Sequence, residues 1–291
     1  FLAILERATP AWLILALLLQ AATYACLGLV WQATLRRAGT PLGMLTLTGL
    51  GVAELFTNQA VPTAGLSGMA LMLRALDQRG VPPPVAVATV VVRLVAHYLA
   101  FASAVLASLA VLAAHHAVDR TIFGLIAGFL GLLLALAVLF LWLQRRSRRP
   151  MAGGLVKLPA VAWVTARGGE APRGLVARPT VYLEATALQF TTILLDAATF
   201  WALLQAIGEA PTFGAAFASL VLAELVVAIG PVPLGLGTFE ATAVVLLRVF
   251  GVALEPALTA TLLLRGCMTW LPMLPGIWLA RRELGRRQHP A

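Results

Sequence analysis

Charged residues are scarce in this sequence: aspartate, glutamate, lysine and arginine together make up 11% of its 291 residues. An ordinary soluble domain carries about 25% charged residues. The 60% of residues that are hydrophobic could not all be buried in a soluble core of this size. The shortage of charge therefore excludes an ordinary soluble domain. It predicts an all-α, polytopic integral membrane protein whose chain divides into spans of about 20 residues.

Cysteine and the common cofactor motifs are also scarce or missing. The two cysteines, Cys26 and Cys267, both lie in apolar runs, which excludes a disulfide framework or a cysteine-based metal site. His115 and His116 have no carboxylate or cysteine at ligand spacing. No phosphate-binding Gly-x-x-x-x-Gly-Lys-Ser/Thr motif occurs. We therefore predict no metal, no cofactor and no ATP hydrolysis.

Long apolar runs predict membrane-spanning helices. The predicted spans are residues 11–31, 85–114, 121–143, 180–207, 212–229 and 256–280. Two regions rich in proline and glycine interrupt this pattern, and such residues end helices. The first turn contains Pro62, Gly65 and Gly68, and the second contains Pro231, Pro233, Gly235 and Gly237. Because broken backbone at membrane depth requires protein or a water-filled cavity around it, each turn predicts a re-entrant helical hairpin.

The two interrupted regions resemble each other. Glu54, the first turn and Arg93 recur as Glu224, the second turn and Arg265, 170 to 172 residues later. An odd number of predicted spans separates the two copies, so the second copy should be inverted relative to the first. We expect a single transmembrane domain over residues 1–291, with repeats at about 11–114 and 121–281. Inverted repeats with broken helices are a transporter architecture.

Positive charge is distributed unevenly along the predicted topology. Sixteen lysines and arginines fall on one face of the membrane, and only Arg7, Arg120 and Arg248 fall on the other. By the positive-inside rule the first face is cytoplasmic, including the C-terminus and the basic loop 144–178. Topology therefore accounts for the basic charge, and we predict a multi-pass protein of the cell membrane with no nucleic-acid partner.

Three segments carry a resemblance to a known family. They are Asn58–Gly68, Val232–Glu240 and Trp270–Gly276, with Arg265 between the last two. Together they resemble the lysylphosphatidylglycerol synthetase/flippase membrane-domain family, over roughly residues 11–283. Leu234 and Ala64 stand where the family pattern has glycine. The resemblance implies movement of lipid between leaflets. In the best-known members a soluble aminoacyltransferase domain follows the membrane part, and since this sequence contains none, we expect no synthetase activity.

Charged and polar residues at membrane depth are the candidate substrate contacts, because they are costly there. Arg93 and Arg265 suit a lipid phosphate; alternatively each braces its turn by pairing with Glu54 or Glu224. Glu240 either caps a helix or binds a cation or proton. The remaining candidates are Asp196 in span 180–207 and the amides Asn58 and Gln59 beside the first turn.

Three functions fit these features. The leading prediction is a flippase that moves an anionic or aminoacylated phospholipid by alternating access, with no enzymatic activity of its own. The alternatives are a membrane-embedded lipid-modifying transferase or its partner subunit, and a small-solute or ion transporter of inverted-repeat type. The predicted partners are a membrane lipid and the bilayer; a homo-oligomer and a complex with a lipid-modifying enzyme are both compatible with the sequence.

Overall fold

The computed structural model describes residues 8–61, 65–115, 178–230 and 232–285, together with four isolated positions between 124 and 131. Within these ranges all regular elements are helices, which confirms the all-α prediction. Predicted span 121–143 lies outside the described residues apart from those four positions, and loop 144–178 lies outside apart from Arg178. The turn residues Pro62 and Pro231 also lie outside them.

Nine α-helices make up the described part of the chain, and one π-helical segment, Gly266–Trp270, joins the last two. The helices are α1 (Pro10–Arg37), α2 (Met44–Ala60), α3 (Leu66–Asp77), α4 (Pro83–Ala114), α5 (Pro179–Ala206), α6 (Phe213–Ile229), α7 (Thr238–Val249), α8 (Leu254–Arg265) and α9 (Leu271–Gly285).

Among the described residues, four helical stretches are long and apolar enough to cross a membrane: α1, α4, α5 and the combined Leu254–Gly285. They confirm a polytopic membrane protein. Helices α1, α4 and α5 each have proline in the first turn, where the missing N–H would have no helical partner anyway.

Predicted span 212–229 forms helix α6, which is shorter than α1, α4 and α5. Helix α6 has 17 residues. At 1.5 Å per residue it is about 25 Å long, which is shorter than the roughly 30 Å hydrocarbon core of a bilayer. The chain turns after Ile229, and the 3₁₀ turn Pro233–Gly235 leads it into α7.

Helices α1 and α5 pack side by side and run antiparallel. The N–H of Thr9, before α1, donates to the carbonyl of Ala206 at the end of α5 (2.8 Å). At the other end, Arg37 Nε donates to Glu184 Oε2 (2.6 Å) near the start of α5. This is the most extensive helix contact in the described part of the chain.

The two short-helix pairs, α2–α3 and α6–α7, form hairpins that open toward opposite ends of the bundle. Leu47 near the start of α2 and Leu76 near the end of α3 share a buried cluster with Leu35, at the end of α1. In the second hairpin the Phe250 ring lies 5.1 Å from that of His115, at the end of α4. Helix α6 begins just after Pro211, whose carbonyl accepts from Trp201 Nε1 near the end of α5 (3.1 Å).

Arginines gather at the end of the bundle where α1 ends and α5 begins. Arg79 makes a bidentate ion pair with Glu283 of α9, with N–O distances of 2.7 and 2.8 Å, and Arg74 Nη2 donates to the carbonyl of Leu284 (3.3 Å). We call this the basic end. Its described arginines are Arg36, Arg37, Arg74, Arg79, Arg178, Arg281 and Arg282. Arg248 lies at the opposite end, beside Phe250.

The main buried cluster contains residues of α1 and of every helix from α4 through α8, and it is rich in alanine. Ala104, Ala197, Ala218, Ala223 and Ala260 are all fully buried in it. Small residues let membrane helices approach closely, which replaces the missing hydrophobic driving force with van der Waals contact. The cluster includes residues of α6 and α7, so it packs the second hairpin against the long helices.

Candidate functional site

A cavity of 160 Å³ lies beside the first hairpin turn, between α1, α2, α3 and α4. Two charged residues, an amide, an imidazole and several apolar side chains line it together. Its lining residues are Trp31, Glu54, Asn58, Gly65, Met69, Val90, Arg93, Leu94 and His97. We call it the first cavity. A lining of this kind suits a ligand that carries both charge and apolar surface.

Arg93 provides the positive charge of the first cavity. Its Nη2 donates to Glu54 Oε1, and its guanidinium carbon lies 4.9 Å from the Trp31 ring centroid, a cation–π geometry. Glu54 is 6% exposed, whereas Arg93 is 28% exposed. Since a guanidinium has five N–H donors, Arg93 keeps donors for a ligand while Glu54 holds its position. The predicted Arg93–Glu54 pair is therefore confirmed.

Asn58 holds the start of α3. Its Oδ1 accepts from the Gly68 N–H (2.8 Å) and from Ser67 Oγ (3.3 Å). A Cβ atom on Gly68 would lie 2.5 Å from that oxygen, so glycine is required for the close approach. Gly65 precedes the helix with φ +86°, a conformation that glycine tolerates best. Asn58 thus shapes the cavity as well as lining it, while Gln59 is absent from the lining.

Arg265 holds the second hairpin turn. Its Nε donates to Glu240 Oε1 (2.8 Å) and its Nη2 to the carbonyl of Leu234 (3.0 Å). Glu240 Oε2 in turn accepts from the Gly237 N–H (2.7 Å) at the start of α7. The sequence pairs Arg265 with Glu224, but the structure pairs it with Glu240, because Glu240 lies in the first turn of α7 beside the turn backbone.

The side chain of Arg265 is placed differently from that of Arg93. Arg265 is absent from the lining of the first cavity, because its donors bind the second turn instead. Phe239 lies under its guanidinium, with the carbon 5.1 Å from the ring centroid. Arg93 and Arg265 therefore have different geometries despite their equivalent places in the sequence.

Leu234 has φ +58° and is the one non-glycine residue with positive φ in the described ranges. The left-handed conformation costs an L-amino acid with a Cβ atom roughly 1–2 kcal/mol. Next to it, Gly235 has φ +62°, and a Cβ there would lie 2.3 Å from Val227 Cγ2. The bond from Arg265 to the Leu234 carbonyl holds this strained turn closed.

Replacing Leu234 with glycine is expected to stabilise the protein by about 1 kcal/mol, because glycine adopts positive φ without the steric penalty. The measurement is unfolding in detergent micelles. Leu236→Gly is the matched control: Leu236 is exposed in the same turn and has negative φ, so glycine there should give no gain. Equal effects of the two substitutions would contradict the strain at Leu234.

A third cluster of polar side chains lies where α1, α5 and α6 meet. We call it the Asp196 group. Gln20 Nε2 donates to Asp196 Oδ1 (3.3 Å). Glu224 interacts electrostatically with both Asp196 and Arg265. Tyr24 Oη donates to the carbonyl of Cys267 (2.6 Å), inside the π-helical segment. π-helical turns within α-helices are frequent at functional sites.

The sequence reasoning misses three residues of these sites, which are Gln20, Tyr24 and Trp31. Each is a single polar or aromatic residue in a long apolar helix, which gives no local signal. The sequences of α1 and α5 can be aligned at their first residues, Pro10 and Pro179, which are 169 positions apart. In this 169-residue register, Gln20 is aligned with Gln189. The same register aligns Thr23 with Thr192.

Comparison with known proteins matches most of this chain to a protein-family model. No curated protein matches this chain. The family model described as "Lysylphosphatidylglycerol synthase TM region" matches residues 1–276, which include α1 to α8 and the start of α9. The match covers the first cavity, both turns and the Asp196 group, and it confirms the resemblance seen in the sequence. The chain belongs to the lysylphosphatidylglycerol synthase transmembrane-region family.

Proposed function

We propose that this protein is a flippase that moves an anionic or aminoacylated phospholipid between the two leaflets, rather than an enzyme. The observation that carries the proposal is Arg93, a guanidinium at membrane depth that is anchored by Glu54 and still open to the first cavity. An arginine fork is well suited to a lipid phosphate. The apolar lining by Met69, Val90 and Leu94 favours a lipid over a small polar solute.

Two inverted repeats with re-entrant hairpins would provide the alternating access. The helix lengths support this: α1 and α5 have 28 residues each, α2 and α6 have 17, and α3 and α7 have 12. Helix α4 and the combined Leu254–Gly285 stretch both have 32. The antiparallel α1–α5 contact and the opposite openings of the two hairpins agree with inversion. In this proposal the second repeat begins at α5.

The orientation follows from charge. Seven described arginines lie at the basic end of the bundle and Arg248 at the other. The positive-inside rule then places the basic end, with the C-terminal part of α9, in the cytoplasm. The first hairpin would open to the cytoplasm and the second to the outside.

An apolar groove supports a lipid substrate. It has a volume of 530 Å³, is formed by Phe56 of α2 with the π segment and α9, and includes Trp270, Leu274 and Ile277. Phe56 is two residues from both Glu54 and Asn58, so α2 presents one side to the first cavity and another to the groove. A lipid could place its headgroup in the cavity and an acyl chain in the groove.

The test uses purified protein in liposomes that contain fluorescent phosphatidylglycerol, with a membrane-impermeant quencher to report the outer leaflet. We expect faster exchange between leaflets than in protein-free liposomes. A fluorescent glycosylceramide, which has no phosphate, is the matched probe and should not be accelerated. Equal rates with and without protein, or equal acceleration of the two probes, would overturn the proposal.

A further inference from the structure

The Asp196 group differs from the first cavity in its balance of charge. In the first cavity one carboxylate, Glu54, faces one guanidinium, Arg93. In the second half Asp196, Glu224 and Glu240 have only Arg265 as a described cation nearby, and Arg265 is bonded to Glu240. An unpaired carboxylate in a low-dielectric interior is costly unless it binds a cation or a proton.

The neighbours of Asp196 provide no second positive charge. Helix α1 contributes Tyr24 and Cys26, α6 contributes Glu224, and Arg265 of α8 reaches the group through Glu224. The π segment adds Cys267, beside Tyr24. Helix α4 contributes buried alanines such as Ala100 and Ala104 to the same interior. The groups that face Asp196 are thus neutral or acidic, apart from the shared Arg265.

Asp196 also breaks the similarity between the two halves. In the 169-residue register of α1 and α5, Gln20 corresponds to Gln189, and Asp196 corresponds to Leu27. Gln20 Nε2 bonds to Asp196, whereas Gln189 Nε2 is buried without a hydrogen-bond partner. The second half therefore has a carboxylate at a position where the first half has the apolar Leu27.

Gln20 is a buried amide whose hydrogen bond to Asp196 leaves one of its two polar ends unpaired. Its side chain is 2% exposed, its amide contacts Asp196, and its Oε1 has no hydrogen-bond partner. A buried acceptor without a donor is unfavourable. A protonated Asp196 could donate its O–H to Oε1 after the amide turns over. The Gln20 amide can thus form a hydrogen bond with either form of the carboxyl group. Its N–H donates to the carboxylate, and its C=O accepts from the carboxylic acid.

We propose that Asp196 is a proton-binding site, set between α1, α5 and α6, whose loading from solution couples proton movement to lipid movement. Within the described residues no group of three or more His, Cys, Asp or Glu side chains is placed to hold a metal ion, which favours a proton over a metal. The bound proton sits on a carboxylate oxygen of Asp196 and donates to Gln20 Oε1. The coupling rests on the proposed function; proton binding does not.

Infrared difference spectroscopy tests proton binding without any transport. In wild-type protein labelled with ¹³C-aspartate, we expect a protonated-carboxyl C=O band that titrates with pH and shifts with the label. The sequence has three aspartates, and Asp196→Asn should remove the band while Asp77→Asn, at the exposed end of α3, keeps it. Gln20→Leu should shift its titration. A labelled wild-type protein with no such band overturns the proposal, even if Asp196→Asn does not fold.

Transport in liposomes tests the coupling. A pH gradient should accelerate phosphatidylglycerol exchange several-fold in the wild type and in Glu184→Gln, whose carboxylate lies exposed on the same helix. It should have no effect in Asp196→Asn. A rate that follows a Na⁺ gradient but not pH would overturn the proton assignment. A titrating Asp196 band in protein that moves no lipid would show that the proposed function, and not the proton site, has failed.

Discussion

Liposomes that contain the Arg93→Gln/Glu54→Gln double variant are expected to move phosphatidylglycerol ten- to a hundredfold more slowly than wild type. A hydrogen bond to a charged group contributes about 1.5–3 kcal/mol, and each 1.4 kcal/mol is tenfold. Replacing both members of the pair avoids a buried, unpaired Glu54, so the fold should survive. The quencher assay measures the rate, and size-exclusion chromatography in detergent confirms a folded protein.

The chain offers a matched control for this variant. Arg37 and Glu184 also form an ion pair between helices, but their side chains are 40% and 41% exposed at the basic end. Exposed pairs contribute about 0–1 kcal/mol, so Arg37→Gln/Glu184→Gln should transport normally. Arg93→Lys should fall between the two, because lysine keeps the charge but lacks the planar fork. A wild-type rate in the Arg93→Gln/Glu54→Gln liposomes would remove Arg93 from the phosphate site.

Replacing Arg265 with leucine is expected to destabilise the protein by about 3–5 kcal/mol, because it leaves Glu240 largely buried without its partner. The Leu234 carbonyl would lose its donor at the same time, so the strained second turn should open. Unfolding by denaturing detergent in mixed micelles measures the loss. Arg265→Leu combined with Glu240→Gln should recover part of the stability, since no unpaired charge remains.

The variants of Arg265 and Arg93 distinguish an arginine that stabilises a turn from an arginine that binds the lipid. If Arg265→Leu folds with wild-type stability yet stops transport, then Arg265 contacts the substrate and the brace is secondary. If the Arg93→Gln/Glu54→Gln variant unfolds instead, then the Arg93–Glu54 pair is also a structural brace. Arg93 would then no longer be assigned to a lipid phosphate in the first cavity. Stability and transport must therefore be measured on the same preparations.

The positions of both turns can be predicted from the sequence because proline and glycine act locally. Helix α2 ends at Ala60 and α6 at Ile229, where the polar or Pro/Gly-rich segments begin. The Arg93–Glu54 pair is also predictable, since the repeat places both residues next to the same turn. The resemblance that names the family depends on the same local features.

The pairing in the second half and the Asp196 group are not predictable in this way. Whether Arg265 meets Glu224 or Glu240 depends on how α7 leaves the turn, and Glu240 gains from its position at the helix start. Gln20 and Asp196 meet only because α1 and α5 cross antiparallel, with 176 residues between them. No local pattern encodes that distance. The composition of α6 is typical of a membrane span, because Ser219 and Glu224 are its only polar residues.

The α1–α5 contact can form only after a delay during biosynthesis, because the two helices are far apart in the sequence. Ribosomes add about 5–20 residues per second, so Asp196, which lies 176 positions after Gln20, is added roughly 9–35 s later at that speed. Helix α1 is synthesised before α5, with which it makes its most extensive contact among the described helices. During that interval the amide of Gln20 and the hydroxyl of Thr23 have no α5 to cover them. We therefore expect the insertion machinery, or a temporary neighbour, to shield these two side chains from lipid until α5 is synthesised.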